Sequence, residues 1–104
     1  MAGNKKHKFS ERENEIAMLA KALAHPARIY LLETISKRKF VSLWELVTIT
    51  PLAQATISQH IKELLKAGLI EVIQQGPFSN FHTRPEVFGR LEKLLLPIIR
   101  KNKR

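Results

Sequence analysis

The chain has 104 residues, a net charge of +9 and no cysteine. This length holds one domain, whose core buries roughly two thirds of the surface the unfolded chain exposes, and the lack of cysteine excludes disulfides, zinc–thiolate sites and thiol redox switches. Its apolar runs are too short to cross a bilayer, and the start Met1-Ala2-Gly3-Asn4-Lys5-Lys6 lacks a secretory signal's apolar segment, so a cytoplasmic protein without membrane association is expected.

The charge is unevenly placed. Lys5, Lys6 and Lys8 at one end, with Arg100, Lys101, Lys103 and Arg104 at the other, make seven of the 18 bases; the remaining eleven nearly balance nine acids. The expected organisation is a basic flexible tail at 1–9, a folded domain at 10–99 and a second basic tail at 100–104. Such tails serve solubility or contact phosphate, and charge alone does not choose between these.

In chain order, Ser10 with Glu13 forms a capping box that starts a first helix, in which Ile16, Leu19, Ala20 and Leu23 recur at helical spacing. His25-Pro26 breaks it, and Pro26 suits the first turn of a second helix with Ile29, Leu32 and Ile35 as its buried stripe. Lys37, Arg38 and Lys39 close that helix, where cations complement its dipole. Ser42 with Glu45 opens a short third helix carrying Leu43, Leu46 and Val47, which Thr50-Pro51 must stop. A fourth helix runs from about Gln54 to Ala67, with Gly68 as a left-handed cap and Leu69 folding back.

After Gly68 the apolar period shortens from helix to strand. Leu69 to Gln74 and Asn80 to Thr83 read as the arms of a hairpin around Gly76-Pro77, with Phe81 and Thr83 on one face and Asn80 and His82 on the other. Thr83 with Glu86 reads as a third capping box. It starts a final helix lined by Val87, Leu91, Leu94 and Ile98, flanked by Phe88, Leu95 and Ile99, that Pro97 kinks or ends. The whole is mostly α with a small β-hairpin, in the order of a winged helix-turn-helix with five helices plus wing.

Placing the fourth helix at about 100° per residue separates two faces. Ile57, Ile61 and Leu64 fall together toward a core, whereas Ala55, Ser58, Gln59, Lys62 and Lys66 centre on the opposite side. That outer face is short and polar, as a helix needs to enter a major groove about 12 Å wide. Gln59 can pair with adenine, Ser58 can donate or accept, and the Ala55 methyl can meet thymine. A solvated helix face has the same composition.

Two segments carry a wider resemblance. His25-Pro26-Ala27-Arg28 with Ile29 and Leu32, and Leu52-Ala53-Gln54-Ala55-Thr56-Ile57-Ser58-Gln59-His60-Ile61 with Leu64 and Ala67-Gly68-Leu69, resemble ArsR-type repressors, over Glu15 to about Leu95. The resemblance implies a homodimeric repressor of double-stranded DNA, with the first and last helices as dimer interface, the fourth helix as reader and the hairpin as a DNA-contacting wing. Carried over by position, DNA contacts fall on Gln54, Ala55, Thr56, Ser58, Gln59 and His60. Lys62, Lys66 and Arg28 are expected to meet phosphates, and Leu19, Leu23, Leu91, Leu94, Leu95, Ile98 and Ile99 to form the dimer surface.

The departures matter too. Ser42-Leu43-Trp44 stands where metal-sensing members carry Cys-x-Cys, and Leu91 to Ile99 lacks the acidic and histidine ligands of others, so neither metal nor other cofactor is expected. Ala53 replaces a capping serine, Thr50-Pro51 a glycine-containing turn, and Gly76-Pro77-Phe78 a polar, basic wing tip. No effector is readable.

Among single residues, His7, His25, His60 and His82 are scattered without ligand spacing. His60 lies at the edge of the core face, where a structural hydrogen bond competes with a phosphate contact; His25 reads as a cap or linker. Trp44 is expected in the core, with a ligand-sensing aromatic as the alternative. Arg28 suits a salt bridge at the core edge or a phosphate. With no cysteine nucleophile, glycine-rich phosphate loop or paired acids in a pocket, an enzyme is not expected. The remaining alternatives are a winged-helix module that docks on a protein and, less suited by its few aromatics, an RNA binder.

Overall fold

The computed structural model describes residues 8–101, so Lys5, Lys6, His7, Lys103 and Arg104 lie outside the described residues. These hold five helices and three strands: α1 (Glu11–Leu23), α2 (Pro26–Arg38), β1 (Val41–Ser42), α3 (Leu43–Ile49), α4 (Gln54–Lys66), β2 (Ile70–Gln75), β3 (Phe78–Thr83) and α5 (Pro85–Lys101).

Both halves of the first two capping boxes form: Ser10 accepts from the Glu13 amide and Ser42 from the Glu45 amide, while each glutamate accepts from the cap's own amide. These bonds satisfy donors that a helix start would otherwise leave unmade. The third box does not form. Thr83 stays in β3, the helix begins at Pro85, and the Glu86 carboxylate takes the Arg84 guanidinium at 3.0 Å instead. Pro97 does not end α5, which continues to Lys101 and so includes Arg100, expected in a tail.

α2 ends abruptly. Lys39 has φ 70° and ψ −55°, and the Phe40 amide donates to the Arg38 carbonyl at 2.8 Å, a three-residue γ-turn of the positive-φ kind. This reversal leads directly into β1. That strand was not anticipated, because two residues show no periodicity; it joins the antiparallel sheet in the order β1-β3-β2, with Val41 opposite Phe81. The hairpin forms with a tighter turn than expected: Gln75, Phe78 and Ser79, outside the expected arms, belong to the strands, and Gln75 pairs with Phe78 across a two-residue loop. Gly76 at φ 59° followed by Pro77 fits a II′ turn, which needs glycine first.

The core lies where α1, α2, α3 and α4 meet the sheet: Leu19, Leu31, Ile35, Val41, Leu46, Ile57, Leu64, Leu69 and Ile70 are all buried, with Phe81 closing it from β3. Three apolar expectations are corrected. Ile29 is exposed and Leu31 takes its place in the stripe of α2; Ala20 is exposed and Ala22 buried in α1; Trp44, expected in the core, is 73% exposed. Each lies beside the true stripe, where a helical wheel separates inside from outside least sharply.

α5 packs on α1. Its Val87, Phe88, Leu91 and Leu94 rest against the core, and polar contacts clamp the pair: Arg90 donates to the Glu15 carboxylate from Nε and Nη2, and Arg12 donates to the Leu94 carbonyl at 2.8 Å.

Candidate nucleic-acid interface

α3 and α4 are joined by Thr50-Pro51-Leu52-Ala53. Pro51 holds Thr50 extended at φ −111° and ψ 155°, and the buried Thr50 hydroxyl donates to the Leu46 carbonyl at 2.7 Å. A threonine thus closes α3 without the left-handed glycine another turn would need.

The two faces of α4 separate as the spacing predicts. Ile57, Ile61 and Leu64 are buried, while Gln54, Ala55, Thr56, Ser58, Gln59, Lys62 and Lys66 are exposed. The exposed set forms a continuous stripe, with uncharged groups toward the helix N-terminus and lysines toward the other end. Ala53 at the N-cap makes no side-chain bond, so the first-turn amides of α4 keep room for another acceptor.

His60 is a correction. Expected among the outward contacts, it is only 7% exposed, and its Nδ1 accepts from Arg28 Nε at 3.1 Å. Its ring also lies 4.4 Å from that of His25, which caps α2 by accepting from the Ala27 amide. Burial, then the nearby His25 and Arg28, hold the His60 pKa below its ordinary 6.5, so the ring is neutral with its proton on Nε2. Arg28 turns inward too. Its Nη1 donates to the Lys21 and Ala22 carbonyls at the end of α1, so the guanidinium expected at a phosphate is engaged in joining α1, α2 and α4.

The residues expected at a dimer surface divide. Leu19 is 1% exposed within the chain's own core and has no face left for a partner. Leu23, Leu91 and Leu94 are partly buried against the core, and Leu95 is half-buried. Ile98 and Ile99 are exposed at 49% and 51%, side by side near the end of α5.

Sequence reasoning missed one feature near α4. Trp44 on α3 and Phe78 at the wing tip both stand in solvent and line one cleft with Gln54. Their proximity is a product of the fold; only the position of Trp44 beside the Leu43–Leu46–Val47 face hinted at its exposure. Among the described residues no three His, Asp or Glu side chains lie close enough to hold a metal ion, and no helix is long and apolar enough to cross a membrane.

Comparison with known proteins agrees with this geometry. Residues 25–72 match the family described as bacterial regulatory protein, arsR family. The chain is 32% identical over 90 residues to the biofilm growth-associated repressor of Agrobacterium fabrum, covering 86% of this chain and 76% of that one. It is 31% identical over 83 residues to the transcriptional repressor PagR of Bacillus anthracis, covering 79% and 82%. The fold superimposes on an ArsR-like transcriptional regulator from Rhodococcus with a TM-score of 0.82 at 22% identity, covering 88% and 86%.

Proposed function

The chain belongs to the ArsR family of bacterial regulatory proteins, and on that premise we propose that it represses transcription by binding a specific double-stranded DNA site as a homodimer. It is a winged helix-turn-helix transcriptional regulator and not an enzyme. The observation that carries the reading is the stripe on α4, exposed along its length and backed by fully buried Ile57 and Leu64. A helix supported in this way can enter the major groove as a rigid body.

In this reading Gln59 and Ser58 meet base edges, with Ala55 beside them. Gln54, Thr56 and the open first-turn amides of α4 take one phosphate strand, and Lys62 and Lys66 another. Arg28 and His60 act from beneath, by fixing how α4 sits on α1 and α2. The basic residues at 1–9 and 100–104 add phosphate attraction without sequence information. Ile98 and Ile99, with half-buried Leu95 one turn before them, supply the surface a second copy covers. A cytoplasmic location follows from action on the chromosome.

The test is to select bound duplexes from random sequence and titrate salt against a selected and a scrambled site. A reader shows affinity that falls steeply with salt and favours the selected site. A winged-helix module that docks on protein shows neither, and that result would overturn the proposal.

A further inference from the structure

The hairpin between Leu69 and Arg84 contains neither lysine nor arginine, and its one carboxylate is Glu71. Polar side chains near its tip bond one another: Ser79 Oγ donates to Gln74 Oε1 at 2.7 Å, Asn80 Nδ2 to Gln75 Oε1 at 2.8 Å, and Gln74 Nε2 to the Gly76 carbonyl at 3.2 Å. These bonds stiffen the tip while occupying groups that could have met a phosphate. What the tip presents outward is Pro77 and Phe78, the latter 64% exposed.

Opposite stands Trp44, the only tryptophan of the chain. Trp44, Val47, Pro77 and Phe78 line a cleft of about 450 Å³ whose wall also includes Gln54, the first residue of α4. Two large rings left in water on either side of one cleft mark a contact surface. The cleft is continuous with the stripe assigned to the major groove. Next to a major groove runs one sugar–phosphate strand, and beyond that strand lies the minor groove.

We propose that Pro77 and Phe78 form an apolar wedge that enters the minor groove beside α4, and that the cleft between Phe78 and Trp44 seats the deoxyribose strand dividing the two grooves. The proposal rests on α4 being the reader. Sugar faces suit an uncharged, aromatic-walled cleft, and the walls of the minor groove are sugars. An apolar wedge partly unstacks a base step and bends the duplex, most readily at flexible pyrimidine–purine steps. The wing then adds preference for a deformable step at a fixed distance from the bases read by α4, without any hydrogen bond to that step.

The experiment uses the full chain with a selected duplex labelled at both ends, reading affinity at several salt concentrations, duplex bend by energy transfer, and Trp44 emission. Phe78→Ala is expected to weaken binding roughly tenfold, the scale of one buried aromatic side chain. It should leave the salt slope unchanged, because an apolar contact releases no counterions, and should straighten the duplex. Phe78→Leu, which keeps an apolar wedge, should retain most of the bend. Trp44 emission should shift to the blue when duplex is added to the unaltered chain. Phe78 is exposed, so thermal melting should show the variants folded. Unchanged affinity and bend in Phe78→Ala overturns the wedge, as does Phe78→Ala turning a dimer into monomers, since the patch is then an interface between copies. If Gln59→Ala relaxes sequence preference while Phe78→Ala does nothing, only the wedge fails; if the unaltered chain binds no duplex, the reading of α4 fails with it.

Discussion

Arg28 donates from Nε to Nδ1 of His60 across 3.1 Å, and the same guanidinium reaches the Lys21 and Ala22 carbonyls that end α1. One side chain therefore ties the helix proposed as reader to the two helices that support it. The bond requires a neutral imidazole, because a protonated His60 has no lone pair at Nδ1 and would face two potential cations.

Acid should loosen this joint first. The groups facing His60 are Arg28 and His25, and its folded pKa lies below 6.5, so the unfolded chain takes up a proton before the folded one does. The contribution is complete above pH 6.5 and is lost as pH falls from there toward the folded value. Thermal melts between about pH 7 and pH 5 should show a falling midpoint, and His60→Gln, which keeps an acceptor but does not titrate, should flatten that fall. Glu15 acts in a separate, lower window: the hydrogen bond from Arg90 holds its pKa below 4.5, so its part is lost only under more acid conditions. An equal slope in His60→Gln would place the acid sensitivity elsewhere.

Base reading and phosphate attraction should separate by mutation. Gln59→Ala is expected to cost about 1–3 kcal/mol on the selected site and to relax its preference over a scrambled one. Lys62→Ala should weaken both duplexes alike and reduce the salt slope by roughly one unit. Equal weakening of both duplexes by Gln59→Ala would remove α4 from the role of reader.

Exposed and buried members of the set expected at the dimer surface should respond differently. Ile98→Glu or Ile99→Glu places a charge on an exposed residue and should give folded monomers in sedimentation, with weaker DNA binding. Leu19→Glu should instead unfold the chain, because a side chain 1% exposed leaves the carboxylate no water. Sedimentation of the unaltered chain as monomer at micromolar concentration would end the dimer proposal.

Much of this was legible in the sequence because local chemistry decided it. Ser10, Ser42, Pro26 and Gly68 punctuate the helices through bonds within four residues, and the apolar face of α4 follows from a strong 3.6-residue period. What was not legible depended on distant partners. His60 sits at the edge of its stripe, and only the arrival of Arg28 from α2 decides that it turns inward. Trp44 and Phe78 are 34 positions apart, and nothing local brings them to one cleft. The third capping box failed because Thr83 was already committed to pairing with Ile70.

Ala53 leaves helix stability unrealised. Ala53→Ser should cap α4 and raise unfolding stability by about 1 kcal/mol. The new hydroxyl would compete for the first-turn amides, so duplex affinity should drop as stability rises. Denaturant unfolding and a gel shift on the same preparation check both halves.

Lys39 is held at a positive φ of 70° without being glycine. Backbone in such a region costs on the order of 1–3 kcal/mol, against roughly 0.5–1 kcal/mol of extra unfolded-state entropy for glycine. Lys39→Gly should therefore stabilise the chain by about 1 kcal/mol net. A loss of stability in urea unfolding would show that the turn between α2 and β1 is not strained.

The clamp of Arg12 on the Leu94 carbonyl joins residues 82 positions apart. A ribosome adding about 5–20 residues per second makes α1 and only roughly 4 to 16 s later the part of α5 that covers it. Through that interval α2, α3, α4 and the hairpin can assemble while one flank of α1 stays open to water. Closure of this flank thus waits on translation of α5, and chains stalled before Leu94 are the form in which a chaperone or protease meets this protein unclosed.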